Sequence, residues 1–366
     1  MRTMSGDQVE AAVASCTAAL RTALDRDWDA VNAAGLEWSC RTTAFHIAED
    51  FAAYASRLAG RAQDRLPLRI TLPEGTDNAG LLQVIEATGA LLAAAVRTTP
   101  PGVRAFHPVH FGSADREGFA SMGVAEALLH THDITRGLGL PYEPPADLAE
   151  AVLTRLFPHV QPGPPPWQTL LWATGRGELP GRAPVTDWTW YNNLVIPAGR
   201  VTLTGIRPAA ARDLVLGGEG GFDWLDDGPY EGTREACSHL LKAYEAGVHR
   251  PEFGVFALVR TEDGRAVGGI GFHGAPDDER RVEIGYDLVE SARGRGYATE
   301  ALRALTGWAL ARADVDTVIA TIEPANLPSQ RVVTRAGFSR ATVEEERTAT
   351  DEYDMDTALL LYVRRT

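Results

Sequence analysis

Residues 282–310, VEIGYDLVESARGRGYATEALRALTGWAL, constrain this chain more than any other stretch. Val282, Ile284, Tyr286 and Leu288 alternate with Glu283, Gly285 and Asp287, the period of two expected of a half-buried strand, which should end near Val289. The turn Arg293-Gly294-Arg295-Gly296-Tyr297-Ala298 follows. Thr299 is then a candidate cap for a helix whose Leu302, Leu305, Trp308, Ala309 and Ala311 share one side. Such an order leaves unpaired amides at a helix start, where small residues let a ligand approach the main chain. The stretch reads as a phosphate cradle with Arg293 and Arg295 as charge partners, although a Gly-x-Gly turn alone is equally a surface turn before a helix.

Downstream, residues 317–338 read as a strand, then Asn326 and Ser329 ahead of a helix closed by Gly337-Phe338. The ordered set EIGY, R-x-x-G-x-A, N-x-x-S and GF resembles the GNAT superfamily of acyl-CoA-dependent N-acetyltransferases over residues 201–366, nearest its ribosomal-protein alanine acetyltransferase branch. That resemblance implies an α/β fold with a mixed central sheet and acetyl-CoA as cofactor. It implies that main-chain amides from Arg293, Gly294, Arg295, Gly296, Tyr297 and Ala298 hold the pyrophosphate, and that a splayed strand end at Leu288 and Val289 pairs with the pantetheine arm. Asn326 and Ser329 would flank that arm and the thioester. The first motif position, often Gln in the family, is Arg293 here, a change compatible with binding. In GNAT proteins the region before residue 233 lines the acceptor cleft, so Asp223, Trp224, Asp226, Asp227, Tyr230 and Glu231 are candidates for choosing the amine; an acidic, turn-rich loop is the other reading.

Acyl transfer to an amine needs a neutral nucleophile, a thioester held within reach and stabilisation of the oxyanion. Glu283 is the candidate base, directly or through water, against the alternative of a solvent-facing strand carboxylate. Many relatives supply a Tyr after N-x-x-S, but none occurs between Asn326 and Phe338, so Ser329 or water serves as proton donor, or no acid is used.

The first half has a different pattern. Apolar residues recur at helical spacing over 7–24, with Ser5 as a cap, and further helices are expected over 42–58, 81–96, 119–135 and 146–156. No segment there alternates as a strand does, so an all-α bundle is expected. Glu126 and His130 lie four apart on one helical face with Asp133 a turn later, while His46 and Asp50 sit on the second helix. Imidazole and carboxylate groups are zinc ligands, but E-x-x-x-H is also an ordinary surface pair, and His46 a possible core histidine. Trp38, His46 and the later E-x-x-x-H with its downstream Asp resemble the DinB-like superfamily over residues 9–157, nearest its mycothiol-dependent maleylpyruvate isomerase branch. This resemblance implies that His46, Glu126 and His130 bind a divalent ion, usually zinc. His107, His110 and His132 are candidate substitutes or neighbours.

Residues 158–199 are rich in Pro and Gly, yet carry Trp167, Leu170, Leu171, Trp172, Trp188 and Trp190, too apolar for a free tether. They are expected to pack on the bundle, giving domains 1–198 and 199–366. Strands are expected in the second domain at 201–206, 253–260, 266–272, 341–346 and 355–363, with a helix over 233–245.

A net charge of −14 argues against nucleic acid or an anionic membrane as the main partner and tolerates a cationic one. Cys16, Cys40 and Cys237 form neither a disulfide framework nor a cysteine metal site, which fits a reducing cytoplasm. No apolar run approaches a membrane span, and the first residues lack a signal-peptide core. The expected activity is acetyl-CoA-dependent N-acetyl transfer to a small-molecule or peptide amine, beside an accessory metal-binding helical domain. Two alternatives stand: a bifunctional chain whose helical domain is a metal-dependent mycothiol transferase or isomerase, and a non-catalytic acyl-CoA sensor.

Overall fold

The computed structural model describes residues 4–108, 112–161, 163, 165–191, 194–225, 228–342 and 359–365. The chain divides into two compact units, Met1–Asn193 and Leu194–Thr366.

Side-chain caps start the main helices of the first unit. Ser5 accepts from the Asp7 amide and Gln8 accepts from the Ser5 amide at the start of α1 (Gly6–Leu20). Ser39, Asp77 and Asp115 do the same for α2 (Cys40–Ala59), α3 (Asn78–Thr98) and α4 (Arg116–Gly137), each cap worth about 1 kcal/mol. With α5 (Ala146–Leu156) and α6 (Pro166–Ala173) they enclose one core around Phe51, Leu92, Phe119 and Phe157. Trp167 and Leu170 are buried in it and Trp190 packs against it, so the Trp-rich bridge belongs to this unit.

Two expectations need correction. The unit is not all-α: β1 (Arg104–Phe106) pairs antiparallel with β2 (Ser113–Asp115), because Pro100 and Pro101 end α3 and the chain doubles back, with the Arg104 guanidinium on Ser113. And α3 is long and apolar enough to cross a membrane. Leu81, Leu82, Ile85, Leu92, Ala93 and Val96 bury its face in the bundle, which explains that composition without a bilayer.

Among the described residues, the second unit is built on an eight-stranded sheet. Its strands are β3 (Val195–Ala198), β4 (Val201–Gly205), β5 (Val255–Arg260), β6 (Ala266–Phe272), β7 (Arg281–Leu288), β8 (Thr317–Ile322), β9 (Ser339–Arg340) and β10 (Leu360–Arg365), in the order β3-β4-β5-β6-β7-β8-β10-β9. The sheet starts before residue 199 because Val195–Ala198 pairs with β4. The expected strand over 341–346 lies outside the described residues except for 341 and 342; that over 355–363 overlaps β10 at 360–363, its first four positions lying outside the described residues.

Every neighbouring pair is antiparallel except β7 and β8. Those two pair only from Arg281↔Thr317 to Glu283↔Ile319. Beyond that, β7 stays on β6 as far as Leu288, and β8 stays on β10 as far as Ile322. The sheet therefore forks after Glu283, and among the described residues one edge of β7 has no strand partner beyond it. Among the described residues four α-helices complete the unit: α7 (Pro208–Val215), α8 (Glu231–Glu245), α9 (Tyr297–Leu310) and α10 (Leu327–Arg335). Asp287 bonds to Thr233 of α8 whereas Tyr286 bonds to Ser329 of α10, so α8 and α10 lie on opposite faces of β7.

Candidate functional site

Two cavities meet at the fork, sharing Tyr286 and Asp287 in their walls. The smaller, about 420 Å³, lies between the open edge of β7 and α10, and Leu288, Arg293, Gly294, Gly296, Ala298, Asn326 and Ser329 line it. Most of the residues expected around the cofactor are thus brought together. Gly294 and Gly296 have φ of 73° and 90°, which turn the chain sharply into α9; Gly296, not Thr299, is the cap residue. Thr299 is instead in the helix, on the cavity wall. From the outside, Arg200 donates to the Arg295 carbonyl at 2.7 Å and pairs with Glu300, fixing the turn.

Arg293 faces the cavity, donating to the Leu288 carbonyl at 3.1 Å with its guanidinium 5.1 Å from the Tyr230 ring. Arg295 is not in the wall; the cationic residues there besides Arg293 are Arg331 and Arg335, four apart on α10. Val289 is buried, its amide on the Val267 carbonyl, and Tyr297 is buried beneath Arg200. Asn326 caps α10 by accepting from the Ser329 amide at 3.1 Å. The Tyr286 hydroxyl donates to the Ser329 carbonyl at 3.2 Å, and burial pushes this phenol up to about 12.

The larger cavity, about 590 Å³, lies on the α8 face and includes Glu235, His239, Leu240, Phe253, His273 and Glu283. Glu283 stands at the base of the fork. Its Oε2 is 3.1 Å from His273 Nδ1, and its Oε1 accepts from the Thr321 hydroxyl across the splitting strands. Burial alone would raise this carboxyl, but the bonds from His273 and Thr321 outweigh it and hold it below the usual range. The same bond to Glu283 raises His273 above the ordinary imidazole value. Asp287 is not free for ligand: it accepts from the Thr233 amide and hydroxyl, both at 2.6 Å, and from the Gly269 amide at 2.9 Å.

The acceptor candidates before α8 are distributed differently from expectation. Trp224 is buried against Phe222, its indole nitrogen donating to the Glu219 carbonyl, and Asp223 pairs with Arg265; neither lines either of the two cavities at the fork. The cause is a bridge from Trp224 to Ala266 that fastens the segment to β6. Tyr230 lines the smaller cavity rather than the larger, and Glu231 is the first residue of α8. Asp226 and Asp227 lie outside the described residues.

A family model described as "Acetyltransferase (GNAT) domain" matches residues 200–339. The uncharacterized N-acetyltransferase YjdG of Bacillus subtilis (strain 168) is 38% identical over 118 residues, which are 32% of this chain and 70% of that protein. The chain belongs to the GNAT acetyltransferase family. As a member it is an acyltransferase, with acetyl-CoA the donor. A second relative of this acetyltransferase, the uncharacterized N-acetyltransferase p20 of Bacillus licheniformis, is 29% identical over 85 residues, 23% of this chain and 48% of that protein. Among solved structures, RimJ of Mycobacterium smegmatis in complex with CoA-disulfide is 23% identical, covers 48% of this chain and 86% of its own, and superposes with a TM-score of 0.32.

The acetyltransferase's helical unit lies outside that family match. In it, His46, Glu126 and His130 bring one ligand atom each to within 4.8 Å of one another. Glu126 Oε2 is 3.1 Å from His130 Nε2 and 4.0 Å from His46 Nε2. His130 Nδ1 is 3.2 Å from Asp133, which Arg176 grips in turn, and the Tyr54 hydroxyl donates to Glu126 at 3.3 Å. These outer contacts direct His130 Nε2 toward Glu126, as carboxylates behind metal-bound histidines do. Asp50 is 3.3 Å from His46, and burial with the nearby Glu126 pushes its carboxyl up to about 8.

His107 and His132 are elsewhere. His107 is buried beside Tyr54 and Phe119, with burial pushing it down to about 4, and His132 packs on Trp167. His110 lies outside the described residues.

Proposed function

We propose that this chain moves an acetyl group from acetyl-CoA to a primary amine at the fork between β7 and β8. The amides of residues 293–298 hold the pyrophosphate, with Arg331 and Arg335 adding charge, and the unpartnered edge of β7 beyond Glu283 takes the pantetheine arm. The amine enters the larger cavity and meets the thioester where Tyr286 and Asp287 are shared. The Glu283–His273 pair removes the proton, and Ser329 at the start of α10 stands on the thiolate side as donor. The fork itself, with a cavity on each face, is the observation that carries this reading.

The acceptor is a small-molecule or peptide amine; the ribosomal-protein acetyltransferase branch remains the nearest by motif. Calorimetry with acetyl-CoA tests the donor site. Binding is expected in the wild type and at least about 10-fold weaker binding in Gly296→Val, because a β-branched residue does not tolerate φ of 90° at the turn. No heat with the wild type removes the proposal, and thiol release with an amine panel separates catalysis from acyl-CoA sensing.

A second reading concerns the helical unit. We propose that it is DinB-like and that His46, Glu126 and His130 hold a divalent ion such as zinc. Three carboxylates, Asp50, Glu126 and Asp133, crowd two imidazoles in a half-buried space, and the donor set fits such an ion. When bound, the ion would acidify a water or a thiol, the chemistry required of a mycothiol-dependent transferase or isomerase.

A further inference from the structure

We propose that His273, rather than Glu283, takes the proton from the attacking nitrogen, and that Glu283 and Gly285 are positioning residues for its ring. This rests on the acetyl-transfer reading and names the base within it.

Register puts the two side chains together. Residues 268 to 272 of β6 pair with 288 to 284 of β7, so continuing by one step sets His273 opposite Glu283, and the His273 amide does donate to the Glu283 carbonyl at 3.0 Å. Nδ1 then bonds to the carboxylate at 3.1 Å. The other end of the ring lies over Gly285, where a Cβ would come within 2.9 Å of Nε2. Gly285 is two residues further toward the splayed end of β7, a step of roughly 6–7 Å along a strand. The imidazole therefore runs along β7 from the base of the fork toward its mouth. Nε2 has no hydrogen-bond partner among the described residues, and the His273 side chain is 56% exposed.

Glu283 is the poorer candidate on the same geometry. Both its oxygens are engaged, by Thr321 and His273, and its side chain is 15% exposed. A carboxylate that accepts from Nδ1–H leaves the Nε2 lone pair facing the substrate, the arrangement by which a buried carboxylate fixes a catalytic histidine's tautomer.

The step balances without another reactant. The amine nitrogen forms the N–C bond to the thioester carbonyl and the C–S bond breaks. The nitrogen's proton passes to Nε2 and then to solvent, and the departing thiolate becomes the thiol of CoA by taking a proton from Ser329 or water. Below its pKa His273 carries protons on both nitrogens and accepts nothing, so rate is lost as pH falls. Glu283 and Asp287 from β7, Glu235 and His239 from α8, and His249 and Arg250 after it line the same cavity. The bond to Glu283 raises the His273 pKa above 6.5.

The test uses the full chain, acetyl-CoA, and methoxyamine as an acceptor that stays uncharged through the imidazole window, with the rate without enzyme subtracted. Wild type is expected to release thiol with log kcat/KM rising to a plateau above an imidazole pKa. H273Q is expected to lose roughly 10²- to 10⁴-fold in kcat, to lose the titration and to keep its affinity for acetyl-CoA. Independently of any acceptor, ¹⁵N spectra of the imidazoles should show His273 protonated at Nδ1 when neutral, titrating lower in E283Q. The assignment is overturned by H273Q within about 3-fold of wild type with the pH profile intact, by a neutral Nε2–H tautomer, or by H273Q that no longer binds acetyl-CoA. Failure of wild type to bind acetyl-CoA would instead remove the acetyl-transfer reading beneath it.

Discussion

Single residues in this acetyltransferase divide by what their atoms already hold. Trp224 illustrates a side chain whose composition suggests ligand binding and whose contacts do not: buried, its indole N–H is given to the Glu219 carbonyl and its ring packs with Phe222. From sequence, an aromatic flanked by acids before a helix is equally a platform for an amine or a core anchor. The bridge to Ala266 decides between them, and it is a long-range pairing that local patterning does not carry. Trp224→Ala is therefore expected to cost about 3–5 kcal/mol of stability, through lost burial and a cavity. Chemical denaturation would measure it; unchanged stability with a raised KM for the amine would return Trp224 to the acceptor site. His273 is the reverse case. It carries no motif, and only the register of a hairpin with a long loop over residues 273–280 would have set it opposite Glu283.

At the scale of elements, the fork, the turn and the two helices beyond it follow closely from residues 282–338, because alternation, glycines and an Asn cap all act over short distances. The N-x-x-S signature is physically a helix cap, Asn326 accepting from the Ser329 amide, and so was legible as a boundary. The larger cavity, proposed to take the amine, was not, since its walls come from α8, β6 and β7 together. Asp287 joins these elements, accepting from Thr233 at the first turn of α8 and from Gly269 of β6. Replacing it by Ala strands the Thr233 and Gly269 amides and is expected to lower stability by about 2–3 kcal/mol. Since α8 lines the larger cavity, proposed to take the amine, and not the smaller one, the KM for amine should rise more than that for acetyl-CoA. Steady-state kinetics with each substrate varied in turn would check this, and a selective rise for acetyl-CoA would contradict the division of the two cavities.

For the whole molecule, each unit closes a core of its own. The helical unit buries Phe51, Phe119 and Phe157, while the sheet unit is organised around strands β3 to β10, which among the described residues pair with one another. The cluster around Phe51 draws on residues of the helical unit, and the clusters around Trp224 and Leu361 draw on residues of the sheet unit; units of these lengths bury enough surface to be stable separately. The proposed sites divide in the same way, with His46, Glu126 and His130 before the Asn193–Leu194 division and the fork after it. Residues 194–366 produced alone should therefore fold and bind acetyl-CoA with a Kd within about 3-fold of the full chain, since 1.4 kcal/mol is already tenfold. Residues 1–193 should retain zinc after dialysis, and His130→Ala in that fragment should release it, because the loss of one of three ligands leaves Glu126 and His46 alone. Calorimetry on the fragment with acetyl-CoA and metal analysis of its helical counterpart are separate readouts. Loss of acetyl-CoA binding from a folded 194–366 would mean that the donor site draws on the helical unit, and unchanged zinc in His130→Ala would remove that histidine from the ligand set.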